Sequence, residues 1–406
     1  MPTRYGQSPW LDRFPRSRVP SYPAHRGHLD VDVVIVGGGL TGCAAAYAFA
    51  AHGVHVALVE ADRLGRGVTA AAAGWLADDP GVGFGEIEHA LGLRAARHAW
   101  HTWRRAALDA AALVRRLDLK CHLEPRPTLL VAATPDEAAR LKREQKARRA
   151  AGLDAPLVNA RSIAAETALT AAAAIRTRAA ATLDPYRACL GLAAAAAARG
   201  ARLFDRSAVK KITFDRKTAD LQTSAGAIHT RRIVVATGSP TTLFRGLRRH
   251  FWFRHAYLAL TEPVPARVRH HLGARAAIVR DMAAPPHVVR WVDGERLLVE
   301  GADAEAPPDR HRSRIIVQRT GQLMYELSTF YPEISGLQPS HGWDAPYART
   351  ADGLPYIGPH RNYPHHLFAF GDASHGVTGA FLASRVLLRH HLGQADASDD
   401  AFGFNR

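Results

Sequence analysis

Apolar and glycine-rich stretches alternate near the start of the chain. Residues 33–36 form an apolar run that enters three consecutive glycines, and a second, mostly apolar run over residues 54–59 ends at Glu60. Short apolar runs bounded by turn residues are typical of buried parallel strands. The alanine-rich residues 44–51 between them indicate a helix. The pattern therefore predicts a strand–helix–strand unit over residues 31–76.

The rest of the chain continues to mix predicted strands and helices. Long helices are predicted over residues 86–118 and 314–330. Two more are predicted to begin at Thr134 and Asp184, because each residue is followed by a proline that suits a first helical position. Short strands are predicted at 129–132, 202–204, 209–214, 233–236, 256–261, 288–292 and 296–301. This mixture predicts an α/β fold.

The glycines after the first strand have the spacing of a dinucleotide-binding turn. Gly37, Gly39 and Gly42 match G-x-G-x-x-G, in which the first glycine permits a tight turn, the second admits a pyrophosphate and the third lets the helix pack closely. The phosphates would lie at the helix N-terminus, where free N–H groups and the helix dipole favour anions. Glu60 can accept both hydroxyls of a ribose. A glycine turn that binds no ligand is the alternative.

A second strand–glycine turn–helix unit near the C-terminus distinguishes FAD from NAD. Residues 367–370 form an apolar run that ends in Gly371 and Asp372, and a helical pattern resumes over residues 377–384. An NAD dehydrogenase does not need such a unit at its C-terminus, whereas a flavoprotein needs a separate site for its isoalloxazine ring. The sequence therefore predicts FAD as the cofactor.

Further motifs follow in a specific order between about Val31 and Leu392. They are Arg66-Gly67-Val68-Thr69, Ala72-Ala73-Gly74-Trp75-Leu76, Leu183-Asp184-Pro185, Ala236-Thr237-Gly238, Asp352-Gly353-Leu354-Pro355 and Ser374-His375-Gly376. In this order and spacing the chain resembles the D-amino-acid oxidase superfamily of flavoenzymes, which includes glycine oxidase, sarcosine oxidase and γ-glutamylputrescine oxidase. The resemblance covers nearly the whole chain and names no substrate.

The resemblance implies a discontinuous architecture of two domains. A Rossmann-like FAD-binding domain would be built from residues 1–85, 151–245 and 346–406. An inserted α+β substrate domain, with a mainly antiparallel sheet, would be built from residues 86–150 and 246–345.

The resemblance also implies a set of cofactor-binding residues. They are Gly37, Gly39, Leu40, Thr41, Gly42, Glu60, Ala61, Arg66, Gly67, Thr69, Ala72, Ala73, Gly74, Trp75, Leu76, Val209, Thr237, Gly238, Gly371, Asp372, His375, Gly376, Val377 and Thr378. The helix that begins near Val377 is expected to stabilise negative charge on the flavin through its N-terminal dipole. Structural alternatives stay open for Asp372, as a plain N-cap, and for Trp75, as a core residue.

Four residues are candidates for contact with the substrate: His375, Tyr257, Arg290 and Tyr347. Oxidation of an amine by a flavin needs little acid–base machinery, so the main task of the protein is to place the substrate carbon beside the flavin. Each candidate also has a structural alternative, such as capping of the C-terminal turn by His375. No metal site is predicted.

Departures from the superfamily pattern narrow these expectations. Alanines, Ala345 among them, stand at both places where relatives attach FAD covalently, so non-covalent FAD is expected. Tyr347 stands where glycine and D-amino-acid oxidases carry an arginine for the substrate carboxylate, which argues against a simple α-amino-acid oxidase. Thr378 replaces the lysine of sarcosine oxidase and no lysine follows Lys217, so slow reaction of the reduced enzyme with oxygen is expected.

Composition bears on compartment and partners. Lys and Arg number 53 against 37 Asp and Glu, a formal net charge of +16. A solvated basic surface is the favoured interpretation, and a polyanionic partner such as nucleic acid is the alternative. The cysteines, Cys43, Cys121 and Cys189, are far apart, which indicates no disulfide framework and a reducing compartment. With no predicted signal peptide or transmembrane segment, a cytoplasmic location is expected.

These expectations combine into one favoured function and two alternatives. The favoured function is an FAD-dependent oxidoreductase that takes a hydride from a C–N bond of a small amine or amino acid, giving an imine that hydrolyses. Oxygen or a quinone would accept the electrons. The same fold oxidising a C–OH bond of a 2-hydroxy acid or an alcohol is one alternative. A tRNA-modifying flavoenzyme that uses the basic surface is the other.

Overall fold

The computed structural model describes residues 2–371 and 376–406. The predicted site residues Asp372 and His375 lie outside the described residues. Strands and helices alternate along the described chain.

The strands are numbered in chain order. They are β1 Arg4–Tyr5, β2 Gly27–Val36, β3 Val56–Val59, β4 Trp75–Leu76, β5 Glu124–Pro125, β6 Thr128–Ala132, β7 Leu157–Asn159, β8 Ala173–Thr177, β9 Ala181–Thr182, β10 Arg202–Phe204, β11 Lys211–Phe214, β12 Ala219–Gln222, β13 Gly226–Gly238, β14 Trp252–Thr261, β15 Ile278–Arg280, β16 Val288–Val292, β17 Arg296–Glu305, β18 Pro339–Arg349, β19 Tyr356–His360 and β20 Tyr363–Phe370.

The helices are numbered in the same way. They are α1 Pro9–Asp12, α2 Leu40–Ala50, α3 Val68–Ala71, α4 Phe84–Leu91, α5 Leu93–Arg116, α6 Pro135–Ala150, α7 Ala160–Thr167, α8 Pro185–Ala197, α9 Ala266–Arg269, α10 Asp309–Phe330 and α11 Val377–Leu392, with 3-10 helices at Arg16–Arg18, Thr242–His250, Pro332–Ile334 and Asp399–Phe402.

Local sequence explains where several helices begin. Thr134 accepts a hydrogen bond from the N–H of Glu137, whose carboxylate accepts one from the N–H of Thr134, so α6 begins with a complete capping box. Asp184 caps α8 by accepting from the N–H of Arg187 at 3.0 Å. The helix predicted over residues 86–118 is two helices, because Gly92, with φ of +84°, separates α4 from α5.

The first sheet has eight strands and a parallel centre. β10, β3, β2 and β13 lie side by side in parallel, and β20 runs parallel to the second half of β13. β12 pairs antiparallel with the first half of β13 and, on its other side, with β11. β19 pairs antiparallel with β20. Parallel strands are buried on both faces and are therefore continuously apolar. For this reason the apolar runs of the sequence predicted the positions of β2 and β3 correctly.

The second sheet has nine strands in the order β1-β18-β14-β17-β16-β15-β6-β8-β7. All its pairs are antiparallel except β1 with β18 and β15 with β6. A small third sheet joins β4, β9 and β5. The predicted α/β fold with a mainly antiparallel second sheet is confirmed.

Helices cover both sheets. α2, α8, α11 and α5 share one core with a face of the first sheet, and α10 covers one face of the second sheet. A further apolar cluster covers the opposite face of the first sheet. Within the described residues, no helix combines the length and the apolar character that a membrane span requires.

Two segments lie across the predicted domain division. β7 and β8 fall in the FAD-domain segment 151–245, but they pair with β6 in the second sheet. α5 falls in the substrate-domain segment 86–150, but it packs on α11 in the core of the first sheet. Long-range pairing and packing decide both placements. The remaining boundaries stay predictions.

His366 is buried among aromatic rings on the face of the first sheet that lies away from α2. Its ring stacks on Phe368 with centroids 5.8 Å apart and lies edge-on to Phe244 at 5.6 Å. The residue is 1% exposed. Burial, with nearby His365 and Arg232, lowers the pKa of His366 from 6.5 to about 4. The folded protein therefore resists protonation at a site where the unfolded chain binds a proton readily.

We predict that His366→Phe reduces the loss of stability in acid. At high pH His366 is unprotonated in both the folded and the unfolded protein. In that range the substitution therefore does not change how the free energy of unfolding depends on pH. As the pH falls from 6.5 towards 4, the unfolded wild-type chain is protonated first. That difference favours unfolding by at most ~3 kcal/mol, since one pKa unit corresponds to about 1.4 kcal/mol.

Urea unfolding of both proteins at about pH 7 and about pH 4.5 measures the difference. His55→Gln is the control, because the His55 side chain is 86% exposed. A wild-type pH dependence in His366→Phe would contradict the assignment.

Candidate active site

Two glycines of the turn between β2 and α2 are required by packing. Gly37 has a φ of +108°, and a Cβ there would lie 2.6 Å from the carbonyl oxygen of Ala236 in β13. A Cβ at Gly42 would lie 1.8 Å from the carbonyl oxygen of Gly37. Neither position has room for a side chain, as the glycine spacing predicted.

Gly39 differs, because a Cβ there would approach a side-chain hydroxyl and no backbone atom. It precedes α2 with a φ of −75°, which any residue adopts. Apart from its chain neighbours, Thr69 Oγ1 is the one described heavy atom within 4 Å of a Cβ built there, at 3.1 Å. Gly39 also lines a large cavity between the described residues. Glycine at this position therefore leaves room for a ligand.

The N-terminus of α2 borders the same cavity. Leu40 and Thr41 both line it, and the N–H of Leu40 donates to Thr69 Oγ1 at 2.8 Å. The positive end of the helix dipole favours an anion at such a position.

Glu60, at the end of β3, is held by two backbone amides. Its carboxylate accepts from the N–H of Gly38 at 2.6 Å and from the N–H of Asp62 at 2.9 Å. Glu60 lines the cavity, where an oriented carboxylate can accept ribose hydroxyls. Gly38 is thus a residue that the sequence interpretation missed. A Cβ on Gly38 would lie 2.1 Å from Leu64 Cδ2, and the run of three glycines was the feature that could have revealed it.

Two cysteines pack beneath this turn. The Sγ atoms of Cys43 and Cys189 lie 3.5 Å apart, and both lie close to the carbonyl oxygen of Gly38, at 3.6 and 3.7 Å. The hydrogen bond with Cys189 and burial raise the pKa of the Cys43 thiol well above its usual range. The Cys43 thiol therefore stays protonated, and the two cysteines form a packing contact between α2 and α8.

The cavity has a volume of about 690 Å³ and reaches from the glycine turn to the second sheet. Many of the predicted site residues line it: Gly37, Gly39, Leu40, Thr41, Glu60, Ala61, Gly67, Thr69, Ala72, Val209, Thr237, Gly238, Tyr347, Gly371, Gly376 and Val377. Motifs from opposite ends of the chain thus meet in one space.

Other predicted residues do not line this cavity. They are Gly42, Arg66, Ala73, Gly74, Trp75, Leu76, Tyr257, Arg290 and Thr378. Arg66 is exposed. The hydroxyl of Thr378 donates to the carbonyl of Ala77 at 2.7 Å. Tyr257 lies in the core between the second sheet and α10, on the face away from the first sheet.

The sequence interpretation missed one wall of the cavity. Phe253 and Arg254 of β14, Arg248 of the preceding 3-10 helix and Ala306 line it. No local motif marks these residues. Arg254 reaches the cavity because β14 pairs with β18 in a register that sets it opposite Tyr347.

Three side chains hold consecutive backbone carbonyls beside the cavity. The oxygens of Ala71, Ala72 and Ala73 accept, in that order, from Trp343 Nε1 at 2.9 Å, Trp10 Nε1 at 2.8 Å and Arg290 Nε at 3.0 Å. We call these three donors the carbonyl clamp. They come from β18, α1 and β16, so three distant parts of the chain position one segment. Ala72 is the member of that segment that lines the cavity.

Arg290 therefore lies behind the site and supports backbone. It is 4% exposed, and its Nη2 also donates to the carbonyl of Ala73. Burial lowers the pKa of Arg290 from 12.5 to about 10, so the guanidinium is still charged at neutral pH. A Cβ at Gly74 would lie 2.9 Å from Nη2. The small residue predicted there thus gives space to the guanidinium.

Tyr347 lies at the end of the cavity formed by the second sheet. Its hydroxyl donates to Asp303 Oδ2 at 2.6 Å. Burial, with the negative charge of Asp303, raises the pKa of Tyr347 above its usual range, so the phenol stays protonated. Within residues 2–371 and 376–406, no group of three or more His, Cys, Asp or Glu is arranged to hold a metal ion.

The chain is similar to known proteins over most of its length. The sequence profile of a family described as FAD dependent oxidoreductase, DAO, matches residues 32–389. The chain is 25% identical to gamma-glutamylputrescine oxidoreductase of Escherichia coli, over 91% of this chain and 85% of that protein. It is 26% identical to the probable oxidoreductase OrdL of Haemophilus influenzae over 52% of this chain, and that match spans about half of OrdL, 47%.

A solved structure with the same fold is the glycine oxidase of Geobacillus kaustophilus. It superposes with a TM-score of 0.78 at 22% identity, covering 93% of this chain and 99% of the oxidase. The order of sheets and helices described above is thus shared over almost the full length of both chains.

We predict that Gly39→Val gives a folded protein that does not retain FAD. The valine would project into the cavity, where Thr69 Oγ1 is its near neighbour, so the fold tolerates the change while the pyrophosphate loses its place. Flavin absorbance after gel filtration and the thermal midpoint of unfolding measure the two effects separately. Gly42→Val is the contrasting variant and should fail to fold. A Gly39→Val protein that purifies with a full complement of flavin would refute the assignment of this turn.

We predict that Trp343→Phe weakens FAD binding about two- to tenfold, because one clamp hydrogen bond is worth about 0.5–1.5 kcal/mol. Flavin fluorescence titration of the apoprotein measures the dissociation constant. Trp103→Phe is the matched control, since Trp103 is buried and its Nε1 has no hydrogen-bond partner among the described residues. Equal dissociation constants in the two variants would show that the clamp does not act on the cofactor site.

Proposed function

Because the chain belongs to the DAO family of FAD-dependent oxidoreductases, we propose that it oxidises a carbon–nitrogen bond of a small amine or amino acid. Two of its relatives are named for glycine and for gamma-glutamylputrescine, which both contain an amine nitrogen. The imine product would hydrolyse to a carbonyl compound and ammonia or an amine.

One observation carries the proposal: a single cavity joins the glycine turn to the second sheet. The residues that line this cavity, from the glycine turn to the second sheet, fit the successive parts of FAD. Gly39 and the first turn of α2 would hold the pyrophosphate, and Glu60 would hold the ribose. Ala72 and the start of α11 would face the isoalloxazine. When bound there, FAD accepts a hydride from the substrate carbon.

The protein's own groups orient the reactants and set the local charge. α11 begins at Val377, directly after Gly376, and both line the cavity. Its N-terminal dipole favours negative charge at this point. Tyr347 stays protonated and is fixed by Asp303, so its ring forms a rigid wall at the substrate end.

The electron acceptor is proposed to be oxygen or a quinone. Thr378 carries no charge, and its hydroxyl is bound to the carbonyl of Ala77, so this position supplies no cation in place of the lysine of sarcosine oxidase. We propose slow reoxidation by oxygen on this ground; fast reoxidation would assign the role of that lysine to a guanidinium of the cavity lining, Arg248 or Arg254.

Anaerobic titration of the FAD-loaded protein with amines, amino acids and 2-hydroxy acids tests the function. Bleaching of the oxidised flavin by an amine or amino acid, with release of ammonia or an amine, is the expected result. Bleaching by hydroxy acids alone would replace the proposal with C–OH oxidation.

We further predict that FAD is bound without a covalent link. Ala345 is buried, and its methyl side chain has no nucleophilic atom that could attach the flavin. Acid precipitation should leave all the flavin in the supernatant. Flavin fluorescence that stays with the protein band in a denaturing gel would disprove this.

A further inference from the structure

We infer that the N-terminal arm, residues 3–26, is part of the cofactor site, and that Trp10 is a positioning residue that fixes the backbone beside the isoalloxazine. The arm precedes residues 32–389, which match the family, so the match assigns it no role. The inference rests on the placement of FAD proposed above. It adds that docking of the arm and binding of FAD favour each other.

The first half of the arm is attached to the second sheet. β1 pairs in parallel with β18, and the N–H of Gly6 extends this pairing by donating to the carbonyl of Gly342 at 2.8 Å. Arg13 forms an ion pair with Asp293, in the turn between β16 and β17. Contacts on both sides of α1 therefore hold that short helix in place.

Trp10, in α1, joins the arm to the lining of the cavity. Its side chain is 5% exposed, and its Nε1 donates to the carbonyl of Ala72 at 2.8 Å. Arg290, which holds the carbonyl of Ala73, lies over the indole with its guanidinium 5.5 Å from the ring centroid. The other two donors of the carbonyl clamp come from strands of the second sheet. The position of the Trp10 donor depends instead on how the arm is held.

The second half of the arm reaches the dinucleotide end of the same cavity. The N–H of Tyr22 donates to Asp205 Oδ2 at 3.3 Å, and the N–H of His25 donates to Ser207 Oγ at 2.8 Å. Ser207 lines the cavity, and its own N–H donates to the carbonyl of Glu60 at 2.7 Å. The arm thus contacts the cavity lining near both ends of the proposed FAD site.

An exposed link joins the two anchored halves. Phe14 packs edge-on against Tyr186 of α8, with ring centroids 5.5 Å apart. Residues 15–18 are then exposed, and Arg16–Arg18 form a 3-10 helix. Release of the first half of the arm therefore requires the contacts of Phe14 and Trp10 to break.

Release of the arm would disturb the backbone at Ala72. This residue is 3% exposed, and a buried carbonyl that loses its donor costs more free energy than the hydrogen bond itself contributes. A ligand that fits the docked arrangement better than the released one stabilises the docked one. By reciprocity, FAD slows release of the arm by the same factor by which release weakens FAD binding.

Titration of the apoprotein with FAD tests the role of Trp10. Trp10→Phe should raise the dissociation constant about two- to tenfold, the effect of losing one hydrogen bond. It should also shift the visible spectrum of the bound flavin, because the backbone beside the ring changes position. Trp103→Phe is the matched control, since Trp103 is buried and its Nε1 has no hydrogen-bond partner among the described residues.

Limited digestion with trypsin tests the link between the arm and FAD. Arg16 and Arg18 are exposed, but cleavage in an anchored segment proceeds through local opening. Saturating FAD should slow cleavage there at least about twofold, and Trp10→Phe should reduce this protection. Cleavage at Arg216 and Lys217, exposed in the turn between β11 and β12 and absent from the cavity lining, should be equally fast with and without FAD.

Phe14→Leu provides the same test if Trp10→Phe does not fold. It weakens the contact of the arm with Tyr186 and leaves the indole of Trp10 in place. We expect faster cleavage at Arg16 and Arg18 and a higher dissociation constant for FAD.

The outcomes separate this inference from the proposed function. A lower thermal midpoint of Trp10→Phe, with the FAD dissociation constant and flavin spectrum of the Trp103→Phe control, would assign the arm to folding alone and overturn the inference. Cleavage of the arm at equal rates with and without FAD would overturn it as well. Bleaching of the flavin by no amine or amino acid, with both expected results obtained, would overturn the proposed function and leave the inference standing.

Discussion

The close contact between α2 and the turn before it is the constraint on which the site depends. A Cβ at Gly42 would lie 1.8 Å from the carbonyl oxygen of Gly37, so the helix rests directly on the backbone of the turn. This contact brings the N-terminus of α2 to the cavity. It also presents the N–H of Gly38 to Glu60 and the carbonyl of Gly38 to the two cysteines below. Helix, turn and second strand therefore form one rigid unit.

The carbonyl clamp performs the corresponding task on the other side of the cavity. Its donors come from α1, β16 and β18, so the segment at residues 71–73 is attached to the second sheet and to the N-terminal arm. Each hydrogen bond contributes about 1 kcal/mol net, but an unsatisfied buried carbonyl costs more than that. The cavity thus lies between two backbone segments that distant side chains hold in place.

Charge placement follows from the same arrangement. Buried arginines of the second sheet either support backbone, as Arg290 does, or pair with a carboxylate, as Arg280 does with Asp79. Removing one partner of such a pair would leave a buried charge, which is strongly unfavourable. Arg254 also supports backbone, because its Nη2 donates to the carbonyl of Asp303 at 3.1 Å, and it lines the cavity as well.

The sequence by itself determined the features that depend on neighbouring residues. The glycine turn, the apolar strands β2 and β3, the acid at Glu60 and the cap at Thr134 are local, because adjacent φ/ψ angles and hydrogen bonds a few residues apart set them. The tertiary structure decided which face of a strand meets the cavity. Along β14, Arg254 faces the cavity and Tyr257 faces α10, and alternation alone does not say which is which. The partners of Arg290, the sheet that receives β8 and the position of Arg254 opposite Tyr347 all depend on contacts between residues far apart in the chain, which no local pattern encodes.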